Sequence, residues 1–307
     1  MCIAFSGPPG SKVDFDNTKG AAWVVKGTIY SGWHAMSYQN KVKVNGIKPK
    51  GHQWSGLNSG RKTGAAMLLV FPLANDGDYI LLSAEDMPNF LKEMTTVETP
   101  NPYLGATRST PKSLGLGSVE VQKYGLYDVV VFKNASIDKI QKAIATSVAI
   151  ERQPELDEDA INFIINAYNP NGQSNFAIAL FCYDPYQVTG EGKESLPVTI
   201  MYQTSFPEVL FFSGLDEHDP SKRPDFNEMV NTNHQIAWGF EKAPDVITHS
   251  VKYTAKVSTL GAIVPERVAV STHYTKMPNG DFVVQLNNFR AGRLAVERWQ
   301  PPSASLG

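Results

Sequence analysis

Only two cysteines occur in this 307-residue chain, Cys2 and Cys182. So few exclude a disulfide framework and match the usage of a reducing compartment. No run reaches the roughly 18 apolar residues that cross a bilayer. Residues 1–20 hold no basic segment followed by a sustained apolar one, so no secretory leader is expected. These absences make a cytoplasmic protein with no membrane partner the expectation. There is no internal repeat and no Gly-x-Ser-x-Gly elbow to anchor a serine triad. Gly56-Leu57-Asn58-Ser59-Gly60-Arg61-Lys62-Thr63 has three residues between its glycines where a phosphate loop needs four, and Arg61 stands before the lysine. Gly115-Leu116-Gly117 lacks the third glycine of a dinucleotide fingerprint, and strand residues follow it. No cofactor and no metal is assigned.

What is present is an ordinary globular composition, with 42% hydrophobic and 19% charged residues, and a length that suits one large domain or two. The net charge of −2 conceals a segregation along the chain. Residues 1–74 hold nine Lys or Arg against two acids, residues 75–249 twelve against twenty-five, and residues 250–307 seven against three. Such a pattern places surfaces of opposite sign on the molecule unless strands from the ends interleave with the middle and average the field.

The local patterns read mostly as strands. Cys2 to Phe5 is a short apolar strand ended by Gly7-Pro8-Pro9-Gly10, and a loop runs on to about Gly20. Ala22 to Tyr30 and Trp33 to Val44 form a hairpin pattern around Ser31-Gly32. Ala65 to Leu73 and Tyr79 to Leu82 flank Asn75-Asp76-Gly77-Asp78, a composition suited to a hairpin turn. Met87, Phe90, Leu91 and Met94 share one face of a short helix that Asp86 can cap, and a Pro-rich loop spans Thr95 to Gly117. Strands follow at Val119 to Gln122 and Tyr127 to Phe132. Ser136 caps a helix facing inward through Ile137, Ile140, Ile144 and Val148. Leu156, Ala160, Phe163, Ile164 and Ala167 mark a second, stopped at Asn169-Pro170-Asn171-Gly172. Further strands are expected at Phe176 to Tyr183, Val198 to Gln203, Val209 to Phe212, His249 to Ser258, Arg267 to His273 and Phe282 to Leu286. The last two flank Pro278-Asn279-Gly280-Asp281, which carries the Asn-Gly hairpin signal. This order predicts an α+β fold of mainly antiparallel sheets with a few helices grouped mid-chain. The expected division is an α+β domain over 1–190 and a β-rich one over 191–307, or a single domain.

Tyr124-Gly125-Leu126-Tyr127-Asp128-Val129-Val130-Val131, the helices ending at Tyr168, the strand from Phe176 and Leu196-Pro197-Val198-Thr199-Ile200-Met201-Tyr202 carry a resemblance. Over about residues 119–212 the chain resembles a family of uncharacterised bacterial proteins. That resemblance implies no activity.

Three groups of residues bear on chemistry. Removal of Met1 would set the Cys2 thiol beside a free α-amino group, the arrangement of an N-terminal-nucleophile cysteine hydrolase acting on a small amide. The Arg and Asp or Asn spacing usual after such a nucleophile is missing, and a structural cysteine is the simpler reading. Asp216-Glu217-His218-Asp219, with Asp225, Glu228 and His234 beyond, gathers acid/base and hard-ligand side chains. His218, Asp219 and His234 are its first candidates, although Pro220 to Pro224 suit an ordinary solvated loop. Lys26, Lys41, Lys43, Lys48, Lys50, Arg61 and Lys62 interleave with Trp23, Tyr30, Trp33, Tyr38 and Trp54, the composition of a single-strand nucleic-acid binder. The same aromatics equally suit the buried face of a hairpin, so a nucleic-acid partner ranks behind a protein one. The function expected is therefore non-catalytic binding or self-assembly through segregated basic and acidic surfaces, with the Cys2 hydrolase as the alternative.

Overall fold

A computed structural model describes residues 3–5, 12–27, 32–46, 64–96, 121–172, 175–189, 191–217, 223–254 and 260–301. In chain order the strands begin with β1 (Ile3–Phe5), β2 (Lys12–Val24), β3 (Trp33–Asn45), β4 (Ala65–Pro72), β5 (Tyr79–Ser83) and β6 (Gln122–Tyr124). Next come β7 (Tyr127–Phe132), β8 (Phe176–Tyr183), β9 (Lys193–Glu194), β10 (Val198–Gln203), β11 (Val209–Phe212) and β12 (Met229–Asn231). The last are β13 (His234–Gly239), β14 (His249–Ser250), β15 (Arg267–His273), β16 (Lys276–Pro278), β17 (Asp281–Gln285) and β18 (Val296–Trp299). The α-helices are α1 (Phe90–Thr95), α2 (Ile137–Ser147), α3 (Glu158–Tyr168) and α4 (Leu286–Arg290).

Five strands form one sheet in the order β1-β4-β8-β7-β6. A larger, eight-stranded sheet runs β14-β15-β13-β2-β3-β10-β5 with β9 beside β3. A three-stranded sheet, β11-β17-β18, and a two-stranded one, β12-β16, complete the set. The fold is thus α+β with antiparallel and mixed sheets: β13 runs parallel to β2 in the large sheet, a pairing the chain order did not announce. Strands from either side of residue 190 share that sheet, β10 lying between β3 and β5 and β13 beside β2.

Period-two burial explains the layering. In the five-stranded sheet the odd positions Met67, Leu69, Val129, Val131, Ala179 and Phe181 face the large sheet. The even positions Leu68, Val70, Val130, Ile178 and Leu180 face α2 and α3 through Ile140, Ile144, Ile161 and Ile164. Both strand faces are therefore buried, which is why β4 and β8 read as unbroken apolar runs. Ser136 caps α2 as expected, accepting a hydrogen bond from the Lys139 N–H, and Asp157 caps α3 through that of Ala160, whereas α1 starts after Asn89 with no side-chain cap, not at Asp86. On its far side the large sheet packs Trp23, Ala35 and Ala237 against Phe90, Leu91 and Met94 of α1.

β2 carries one irregularity. Between Asp16 and Lys19 its register on β3 shifts by one residue, and Asn17 takes φ 52°. Before this bulge Val13 and Phe15 face the main core, and after it Ala22 does, so the extra residue flips the parity of the strand.

Three pairings differ from the sequence expectation. The strand expected from Ala22 begins at Lys12, because its polar half is paired with β3. Asn75 to Asp78 joins strands of different sheets, β4 pairing with β1 and β8 while β5 pairs with β10, so it is a crossover and not a hairpin turn. Asn279-Gly280 likewise closes no hairpin between β15 and β17, since β15 pairs with β13 and β14, and β17 with β11 and β18. The reason is that Asn279 is fully buried and its amide braces neighbouring loops.

Candidate functional site

β13 joins β2 only from Thr18 onward, beside the bulge. There a cleft of about 410 Å³ opens, lined by Asp14, Phe15 and Asp16 of β2, by Asp216 and Glu228, and by Met229 to Asn233 leading into β13. Four of the lining side chains are carboxylic acids and none is basic. Asp14 accepts a hydrogen bond of 2.9 Å from the Asn45 amide. Burial pushes the Asp216 carboxyl up to about 6, with Glu217 and Glu228 acting in the same direction and Arg298 opposing them. Among the described residues no three His, Cys, Asp or Glu side chains converge to hold a metal ion.

Behind the cleft lies a buried polar junction. The Asn279 side chain accepts from the Asp216 N–H at 2.9 Å and donates to the carbonyls of Asp216 and Asp225 at 2.8 and 3.0 Å. Asp281, fully buried, accepts from Tyr168 Oη at 2.6 Å and from the N–H groups of Gly214 and Leu215 at 2.8 and 3.2 Å. Burial raises its carboxyl while those donors and Arg298 act to lower it, leaving it above the usual range. The Arg298 guanidinium lies 4.1 Å from the centroid of Phe282 and donates through Nε to the Pro278 carbonyl at 2.7 Å. This network fixes the loop after β11 against the start of β17 and so sets where Asp216 stands.

Of the catalytic candidates, Cys2, His218 and Asp219 lie outside the described residues. His234 opens β13 and is fully buried, its ring 5.5 Å from that of Phe282 and 6.2 Å from that of Phe212. Neither of its ring nitrogens has a hydrogen-bond partner, and the cleft is lined by its neighbours Thr232 and Asn233. Cys182, on β8, is buried, and desolvation holds its thiol well above the usual range. Trp23, Trp33 and Tyr38 are core residues, so those three offer no face for base stacking. Tyr30, Trp54 and the glycine motifs at 56–63 and 115–117 lie outside the described residues.

The two residues that sequence reasoning passed over are Asp14 and Asp16, assigned to a loop. Their signal was the alternation Val13-Asp14-Phe15-Asp16, a half-buried strand in miniature. The segregated charge is also partly mixed in space. Lys19 pairs with Glu194 at 3.0 Å and Lys26 with Glu241 at 3.9 Å, while Arg267 meets Asp245 at 3.1 Å and Arg290 meets Glu208 at 2.7 Å. Each of these joins a basic end of the sequence to its acidic middle, as the strand order demands.

The chain matches no known family profile and no curated protein sequence. Among solved structures it is similar to the crystal structure of baculovirus P35, with a TM-score of 0.38 and 10% sequence identity over 94% of this chain and 92% of that one. A likeness at that level assigns neither fold family nor function.

Proposed function

We propose that the protein is a non-catalytic binding protein that self-associates by charge, its acidic cleft receiving a basic segment of a second copy. The observation that carries this reading is the cleft itself, where Asp14, Asp16, Asp216 and Glu228 share about 410 Å³ with no Lys or Arg among the lining residues. Lys19 and Lys26 of the basic N-terminal strands meet Glu194 and Glu241 within the chain, whereas the cleft gathers four carboxyl groups along its walls. By sequence, residues 47–63 carry Lys48, Lys50, Arg61 and Lys62 and no acid, which gives one copy the charge that the cleft of another attracts. Exposed Met229 on the rim adds apolar surface beside the acids. For the hydrolase alternative, Cys2, His218 and Asp219 lie outside the described residues, and His234 is buried with no hydrogen-bond partner on its ring.

The test is the triple change Asp14→Asn, Asp16→Asn, Glu228→Gln, compared with wild type by sedimentation velocity at low ionic strength. All three side chains stand at a surface cleft, so the fold tolerates the changes. Association weaker by about tenfold or more is expected, a loss of roughly 1.4 kcal/mol spread over three partly screened charges. Association of the wild type should also weaken as pH falls through about 6, where Asp216 loses its charge. An unchanged dissociation constant in the triple variant would sink the proposal.

A further inference from the structure

Three histidines of the large sheet face one interface, His34 level with Val24 of β2 at one end and His234, level with Thr18, beside His273 at the other. His34 on β3, His234 on β13 and His273 on β15 stand on strands of the eight-stranded sheet, at the side where the three-stranded sheet packs. His34 is 2% exposed and meets the segment entering β11, its electrostatic neighbour there being Glu208. His234 and His273 are direct cross-strand partners, and both rings pack on Phe282 of β17, at 5.5 and 4.7 Å between centroids. Phe212 of β11 completes the contact, stacked at 5.9 Å on Tyr38.

We propose that this histidine-lined contact is an acid-operated latch: neutral imidazoles seat β11-β17-β18 on the large sheet, and proton uptake by His34 and His273 releases it.

The physical reason is that a charged imidazole is poorly accommodated at each position. His234 has no hydrogen-bond partner on either ring nitrogen and aromatic rings on two sides, so the seam beside His273 is apolar and offers a charge no acceptor. Arg298 already places its positive charge on the opposite contact of Phe282, facing His273. Burial holds His34 at about 4 against the pull of Glu208, and burial together with Arg298 holds His273 at about 4. Both ordinarily titrate at 6.5, so the released form takes up protons that the seated form refuses, and release is favoured as pH falls from 6.5 towards 4.

Glu208, itself held by Arg290 of α4 with Lys242 nearby, favours protonated His34 but does not overcome burial. Asp216 works against the latch, because a carboxyl raised to about 6 takes up its proton in the seated form. Asp281 does not take part: its partners Tyr168, Gly214 and Leu215 lie on the α3 side of the three-stranded sheet and stay in place when the Phe282 side opens. Two imidazoles against one carboxyl leave a net uptake of one proton on release. The seated-to-released ratio should then change by up to about tenfold per pH unit within the window.

Hydrogen exchange of the full chain between pH 7.5 and 4.5, corrected for intrinsic rates, tests this. Protection should fall in 209–212 and 282–285 while 67–71 and 177–182, in the centre of the five-stranded sheet, keep theirs. In His273→Gln and in His34→Gln the pH dependence should flatten by one proton each. His273 is partly exposed, so at least that variant retains the fold. Uniform loss across all segments, no loss at all, or an undiminished pH dependence in the variants would each overturn the latch.

Discussion

Gly20 offers the sharpest check on how the sheets meet. It pairs with Tyr38 on β3 and Ile236 on β13, and a Cβ placed on it would overlap Cε2 and Cζ of Phe212 from β11. Phe212 has no free direction in which to yield. It is fully buried, stacked on Tyr38, with His234 and Phe282 at 6.2 and 6.4 Å. Gly20→Ala should therefore fall at the top of the overpacking range, about 3 kcal/mol. Phe212→Ala alone should cost about 4 kcal/mol as a core truncation. In the double variant the added methyl enters the space the ring has left, so its cost should approach that of Phe212→Ala alone. The coupling is then about 3 kcal/mol and of rescuing sign. Urea unfolding followed by tryptophan fluorescence measures all four corners of the cycle. A Gly20→Ala effect below about 0.5 kcal/mol, or additive costs in the double variant, would refute the packing of β11 on β2.

Asp281→Ala removes the acceptor of one hydroxyl and two backbone N–H groups, all buried, and should destabilise by about 4 kcal/mol in the same assay, against about 1 kcal/mol for Tyr168→Phe. Equal costs for the two would contradict the network. Cys182, raised by burial and shielded within β8, should resist alkylation in the native protein at pH 8 and react only on unfolding, as peptide mass spectrometry would show. Rapid native labelling at that residue would contradict its placement.

The elements were more legible than their partners. Runs buried on both faces, such as Ala65 to Pro72 and Phe176 to Tyr183, and capped amphipathic helices such as that after Ser136 announce themselves because local chemistry decides them. Pairing is decided elsewhere. Asn279-Gly280 has the chemistry of a hairpin turn, but the buried Asn279 amide is spent on Asp216 and Asp225, and no turn signal reports that. β13, His234-Gln235-Ile236-Ala237-Trp238-Gly239, opens on two polar residues, yet its place between β2, to which it is parallel, and β15, to which it is antiparallel, buries all but Gln235. The cleft depends on the β2 bulge at Asp16 to Lys19 and on a strand more than two hundred residues later. Its acids could be found by composition but not brought together by it. The charge asymmetry was visible at once, and its partial cancellation through Lys19–Glu194 and Lys26–Glu241 needed the strand order.

The most direct test of the central claim is sedimentation velocity of the wild-type chain at low and high ionic strength. Self-association through the acidic cleft predicts a concentration-dependent assembly at low salt that dissociates as screening shortens the reach of its charges. A monomer that ignores salt, or an assembly equally stable at both ionic strengths, would contradict it.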